Sequence, residues 1–100
     1  MKSRPTRILL VEDDKEQADL IAAMLAKNWK GCKIYWVPDL AQALARLAHR
    51  DIDLVILDLG LPDSQGLETF VRAYQGALQV PFVVLTGSTD EKLGLAAIRQ

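Results

Sequence analysis

The sequence predicts an α/β fold, a doubly wound parallel sheet between two layers of helices, and three observations carry that prediction. Short continuous apolar runs recur at residues 8–11, 54–57 and 82–85, the pattern of strands covered on both faces. The stretches between them place apolar residues at helical spacing. The connections are short, and strands that alternate with helices imply parallel pairing through right-handed crossovers.

Taken in order, "RILLV" (7–11) reads as the first strand. A helix follows over 14–29, with Ala18, Ile21 and Leu25, and also Leu20 and Met24, at helical spacing. Asp14 is placed to cap it, with Gln17 as its capping-box partner. "GCKIYWV" (31–37) is a strand after a glycine stop, rich in β-branched and aromatic residues. Pro38 ends that strand, and Asp39 with Gln42 forms a second capping box before the helix "LAQALARLAHR". Leu40, Ala43, Leu44 and Leu47 share one face of it. "DLVIL" (53–57) is the third strand. "SQGLETFVRAYQG" (64–76) is a helix with Leu67, Phe70, Val71 and Tyr74 directed inward, and Asp63 and Ser64 start it or its turn. "VPFVVL" (80–85) is the fourth and most hydrophobic strand, and "STDEKLGLAAIRQ" (88–100) opens with Ser88 and Glu91 in capping-box register and reads as a helix.

Size and charge narrow the function. One hundred residues make a single domain, read as a flexible 1–6 followed by a folded 7–100. A net charge of −1 gives no electrostatic reason to expect nucleic acid or a membrane surface as partner. The basic "MKSRPTR" start reads as a frayed, solvated terminus. No segment reaches the ~18 apolar residues of a membrane span, and no signal-peptide core is present. Cys32 is alone, so neither a disulfide framework nor a cysteine metal site is expected, consistent with a cytoplasmic setting.

In doubly wound sheets the ligand site lies beyond the carboxyl ends of the strands, where the strand order switches. The first strand ends in Glu12, Asp13 and Asp14, the third in Asp58, and the fourth in Thr86, Gly87 and Ser88. With the first strand between the second and third, Asp13 and Asp58 meet in one crevice with Glu12 beside them. Carboxylates so close repel unless neutralised, and Mg²⁺ favours a few carboxylates, waters and a phosphate oxygen. The cluster therefore implies a metal and phosphate chemistry. Taken singly, Asp14 is a cap, Thr86 could bond backbone, and Glu12 and Asp13 could be solvated. Asp58 resists such a reading because a buried run precedes it.

Three blocks, "ILLVEDD" (8–14), "DLVILDLGLPDSQGLE" (53–68) and "PFVVLTG" (81–87), together resemble the receiver domain of two-component response regulators. The resemblance implies a flavodoxin-like sheet of strand order 2-1-3-4. It implies that Asp58 accepts a phosphoryl group from a phosphohistidine on a histidine kinase or histidine phosphotransfer protein. Asp13 and Asp58 would bind Mg²⁺ directly, Glu12 through water and Gly60 through its backbone carbonyl. Thr86 would hydrogen-bond the phosphoryl group and move inward, with Gly87 leaving room for it, and the fourth-helix surface would change. Such a module is a signalling phosphoacceptor rather than an enzyme, with output domains expected on a longer chain.

One departure stands out. Receivers carry a fifth strand ending in a phosphate-pairing Lys, then a fifth helix, and by family spacing that Lys falls beyond Gln100. Lys92 is out of register for the role. The chain thus reads as a C-terminally incomplete receiver, either truncated from a longer protein, the favoured reading, or completed by another chain. The open edge of strand 82–85 is an association hazard, and dimerisation through that edge and the fourth helix is an expectation.

Other classes fit less well. An aspartyl-phosphate phosphatase of the haloacid-dehalogenase type needs a second Asp two residues after the nucleophile, where Gly60 stands. No G-x-G-x-x-G follows the first strand, which argues against a dinucleotide site. An unphosphorylated receiver-like interaction module is kept as an alternative by the missing Lys. His49 reads as a solvated helix-end histidine. Trp29, Tyr35 and Trp36 read as packing residues, since no basic groove accompanies them.

Overall fold

The computed structural model describes residues 5–77, 79–87 and 93–98, and from Thr86 onward it describes backbone alone. The elements run β1 (Thr6–Val11), α1 (Lys15–Asn28), β2 (Cys32–Val37), α2 (Leu40–Leu47), β3 (Leu54–Asp58), β4 (Gly60–Leu61), β5 (Ser64–Gln65), α3 (Leu67–Gln75), β6 (Phe82–Gly87) and β7 (Leu93–Ile98). The large sheet has the order β2-β1-β3-β6-β7. Its first four strands are parallel, so the predicted 2-1-3-4 order holds. No helix among the described residues is long and apolar enough to cross a membrane. β1 starts at Thr6, one residue earlier than expected, and the Thr6 N–H donates to the Gly31 carbonyl at 3.0 Å.

Residues 8–11 are apolar without a break because both faces of β1 are covered. Leu9 and Val11 join Val55, Leu57 and Phe82 under α2 and α3, with Leu40, Ala43, Leu47 and Ala73. Ile8 and Leu10 join Ile56 and Leu85 under α1, with Ala18 buried and Ile21 and Leu25 packed alongside. Parallel register pairs Val11 with both Val37 and Leu57. The next residue along each of β1 and β3, Glu12 just past β1 and Asp58 at the end of β3, therefore lies on one rim of the sheet.

Where two apolar stripes compete on a helix, packing selects one. On α1 the 18-21-25 stripe faces the sheet, and Leu20 and Met24 stand exposed. On α3 the expected set is half right. Phe70 and Tyr74 pack inward, but Leu67 and Val71 are exposed, and Thr69 and Ala73 take the buried positions. The Phe70 ring meets Phe82 edge-on at 5.4 Å and stacks on Tyr74 at 5.4 Å. Those contacts set the rotation of the helix and turn the Leu67 side outward.

Both expected caps form, Asp14 with a changed partner and Asp39 with Gln42 as expected. Asp14 accepts from the Glu16 N–H at 2.9 Å rather than pairing with Gln17. Asp39 accepts from the Gln42 N–H at 2.8 Å, and the Gln42 side-chain amide returns to the Asp39 carboxylate at 3.2 Å.

The helix expected over 88–100 is corrected. Leu93–Ile98 is a strand, β7, running antiparallel to β6 from the Phe82–Ile98 pair to the Gly87–Leu93 pair. The outer edge of β6, expected to be open, is therefore paired, and neither a fourth-helix surface at 93–98 nor a bare β6 edge is there to support a dimer. The competing terms explain the outcome. An unpaired edge on the most apolar strand leaves a row of backbone groups unbonded, and Gly94 weakens a helix by about 1 kcal/mol. Ser88, Glu91 and Lys92 lie outside the described residues.

At the end of α2, the Arg50 N–H donates to the Leu47 carbonyl at 2.9 Å, and Arg50 has φ of 60°. This left-handed conformation costs a side-chain-bearing residue about 1–2 kcal/mol, against a smaller entropy cost for glycine. Arg50→Gly is accordingly expected to raise the unfolding free energy by about 0.5–1 kcal/mol. Urea melts at constant slope check this, and an unchanged or lowered midpoint would contradict it.

Candidate functional site

The site is built where β1 and β3 run out. Glu12 continues the ladder, its N–H donating to the Val37 carbonyl at 3.1 Å, and its residue is only 6% exposed. The Glu12 carbonyl accepts from the Trp36 indole N–H at 2.7 Å. Its Oε2 accepts from the Asp14 N–H at 3.1 Å. Asp13 comes next, exposed to solvent. Asp58, the last residue of β3, is half-buried, and its Oδ1 accepts from the Gly60 N–H at 3.0 Å. Oxygens from Glu12, Asp13 and Asp58 all lie within 4.8 Å of one another.

The electrostatics reflect that crowding. Burial first, then the charges of Asp58 and Asp13, push the Glu12 carboxyl up to about 7, against the pull of the Asp14 N–H. Asp58 is raised as well, by burial first and then by Asp13, while the Gly60 N–H opposes the rise. Between described residues the ion pairs are Arg7–Asp51, Arg46–Asp51 and Lys15–Asp19, and none reaches the cluster. Among the described residues, then, no cationic side chain pairs with the cluster, and a proton or a divalent cation would neutralise it. Three hard oxygen donors, two of them reluctant to ionise alone, suit a small divalent cation such as Mg²⁺.

The chain after Asp58 is held from several sides. β4 and β5 form a tight hairpin, Gly60 pairing with Gln65 and Leu61 with Ser64, and Leu61 is fully buried. The Gly66 N–H donates to the Leu59 carbonyl at 2.8 Å. Thr69, fully buried on α3, donates its hydroxyl to Ser64 Oγ at 2.8 Å. Asp63 lies in the turn before α3, one of the two expected places, and does not start the helix itself. Its carboxylate accepts from the Leu40 and Ala41 N–H groups at 2.9 and 3.0 Å and so caps α2. Those N–H groups hold Asp63 below the usual carboxylate range. Nor does Ser64 cap α3, which begins after Gly66 at φ of 74° without any side-chain cap.

The structure therefore brings Glu12, Asp13 and Asp58 together, with Gly60 adjoining them through its N–H. Thr86 sits one residue past Leu85, the partner of Asp58 across β3 and β6, and pairs through its backbone with Gly94. His49 is exposed at the end of α2, away from the cluster. Trp29 and Trp36 are more exposed than packing residues would be, at 39% and 41%. Trp36 nevertheless fastens the Glu12 backbone, and Tyr35 lies under the Arg46 guanidinium at 4.4 Å. Trp36, Asp63 and Thr69 are the supporting residues that sequence reasoning misses. Their partners lie 24, 22 to 23, and 5 residues away in sequence, and the first two meet only once the sheet is assembled.

Comparison with known proteins agrees with this geometry. The family model for the response regulator receiver domain matches residues 8–100. The KDP operon transcriptional regulatory protein KdpE of Escherichia coli is 38% identical over 93 residues, covering 93% of this chain and 40% of KdpE. The autoinducer 2 sensor kinase/phosphatase LuxQ of Vibrio cholerae is 38% identical over 94 residues, covering 94% of this chain but 10% of LuxQ. Among solved structures, the phosphorylated cyanobacterial phytochrome response regulator RcpA superposes with a TM-score of 0.70 at 30% identity, covering 87% of this chain and 69% of RcpA. The chain spans less than half the length of these two curated relatives. With a sheet of this order, acids at its switch point and a family match over nearly its whole length, the chain belongs to the response regulator receiver domains.

Proposed function

We propose that this receiver accepts a phosphoryl group on Asp58 from a phosphohistidine of a histidine kinase or histidine phosphotransfer protein, with Mg²⁺ bound at the acidic cluster. The observation that carries this reading is the meeting of Glu12, Asp13 and Asp58 oxygens within 4.8 Å at the ends of adjacent parallel strands. Asp13 and Asp58 would hold the cation directly, Glu12 through water, and Gly60 through its carbonyl. Bound there, Mg²⁺ would offset the repulsion between carboxylate and incoming phosphate and clamp the transferring oxygens.

The chain's own residues do the rest. An Asp58 carboxylate oxygen attacks phosphorus, a P–O bond forms, and the P–N bond to the donor imidazole breaks with its electron pair left on nitrogen. The Gly60 N–H, already on Asp58 Oδ1, orients the carboxylate so that one oxygen is free to attack. Thr86, one residue beyond the partner of Asp58, is assigned to bind the transferred group. The role is that of a signalling phosphoacceptor, not of an enzyme acting on a substrate pool. A transcriptional regulator and a sensor kinase among the relatives support output or kinase domains as the partners of such a module.

Beryllofluoride with Mg²⁺ is expected to bind saturably and to alter Trp36 fluorescence, because that indole holds the Glu12 backbone. Phosphoramidate, which carries the same kind of P–N bond, is expected to add one phosphoryl group, located at Asp58 by mass spectrometry. An Asp58→Asn variant that titrates like the parent would refute the assignment.

Glu12 also gives the protein a pH dependence. The folded protein keeps a proton there up to about pH 7, whereas the unfolded chain releases it in the ordinary carboxylate range. Metal-free stability is therefore fullest below that range and falls as pH rises through about 7. Mg²⁺ affinity runs the other way, strengthening as the proton leaves. Glu12→Gln is expected to flatten the stability profile in thermal melts across pH. A parent profile that is already flat would contradict this.

A further inference from the structure

The first turn of α2 leaves its leading N–H groups to be satisfied from outside the helix. Asp39 takes only Gln42. Leu40 and Ala41 both donate to Asp63, which arrives from the loop that follows Asp58. Between Gly60 and Asp63 stand only the buried Leu61 and the exposed Pro62, inside a two-pair hairpin. One short, stiff segment thus bonds Asp58 at one end, through the Gly60 N–H, and α2 at the other.

From this connection we propose that Asp63 is a positioning residue, locking the Asp58 loop to the amino terminus of α2 so that the order of each depends on the other. Asp63 touches no reacting group and acts through Gly60. The proposal deepens the phosphoacceptor reading and, in its functional part, rests on it. A group arriving on the other Asp58 oxygen changes the charge and orientation of the carboxylate that accepts from Gly60, and any shift of Gly60 passes along the hairpin to the Asp63 carboxylate. By reciprocity, loosening that carboxylate loosens the geometry at Asp58.

The test has a structural arm and a functional arm. In Asp58→Ala, which removes the acceptor of the Gly60 N–H, amide exchange at Leu40 and Ala41 is expected to quicken about five-fold, the low end of ordinary coupling between sites. In Asp63→Ala, exchange at Gly60 is expected to quicken similarly, and Mg²⁺–beryllofluoride affinity to fall by about the same factor. Asp63→Asn, which keeps one acceptor oxygen and protects against loss of the fold, is expected to fall between. Asp39→Ala weakens α2 from its own side and is expected to leave Gly60 exchange and beryllofluoride affinity unchanged. Exchange at Leu40 and Ala41 that ignores Asp58→Ala overturns the proposal. So does an Asp39→Ala loss at the site equal to that of Asp63→Ala, since Asp63 would then be a plain cap. A parent protein that binds no beryllofluoride would sink the phosphoacceptor reading instead, and the exchange arm would still decide whether the link exists.

Discussion

The structure depends on a repulsion it does not remove. Glu12 and Asp58 present oxygens within 4.8 Å of each other, one buried and one half-buried. Two unit charges at that separation cost roughly 3 kcal/mol at an effective dielectric of about 20. That is a large share of the roughly 5–15 kcal/mol that holds a domain together. Glu12 escapes by keeping its proton to about pH 7, and a divalent cation offers the other escape. The cluster is tolerated because the strands that bring it together bury enough apolar surface to hold it.

Those strands supply the precision. β1 is buried on both faces and lies between β2 and β3, so it cannot slide without dragging four aliphatic side chains out of two cores. Its last pair with β3, Val11 with Leu57, puts Glu12 and Asp13 on the rim beside Asp58. The ladder bond from Glu12 to Val37 and the indole bond from Trp36 then pin the backbone one residue past the strand. Charge is placed where movement is least, which keeps the carboxylates from relaxing apart.

Much of this is legible in the sequence, and the rest is not for identifiable reasons. Apolar runs mark β1, β3 and β6, capping boxes mark α1 and α2, and acids at successive strand ends mark the site. The third helix is found but rotated, because its phase depends on Phe82, a residue on a distant strand. Residues 93–98 carry helical spacing, yet the edge of β6 takes them as a strand. Local pattern cannot see an unpaired edge, and at that segment the edge prevails. Trp36 reads as packing because nothing in its neighbourhood announces a carbonyl 24 residues away.

Asp63 is the most instructive departure from local rules. By position it should serve the helix that follows it, and α3 instead starts at a glycine with no side-chain cap. With Gly66 in the N-cap position, the lack of a Ser, Thr, Asp or Asn cap costs about a few tenths of a kcal/mol. The chain accepts that cost for α3 and commits its carboxylate to α2, across 22 and 23 residues. A local rule broken without a local gain points to a constraint elsewhere. Here the constraint is the loop between Asp58 and Asp63, which a cap for α3 would leave without its bond to α2. Bonded to α2, the loop is fixed at both ends, and the residue beside Asp58 inherits the rigidity of a helix terminus.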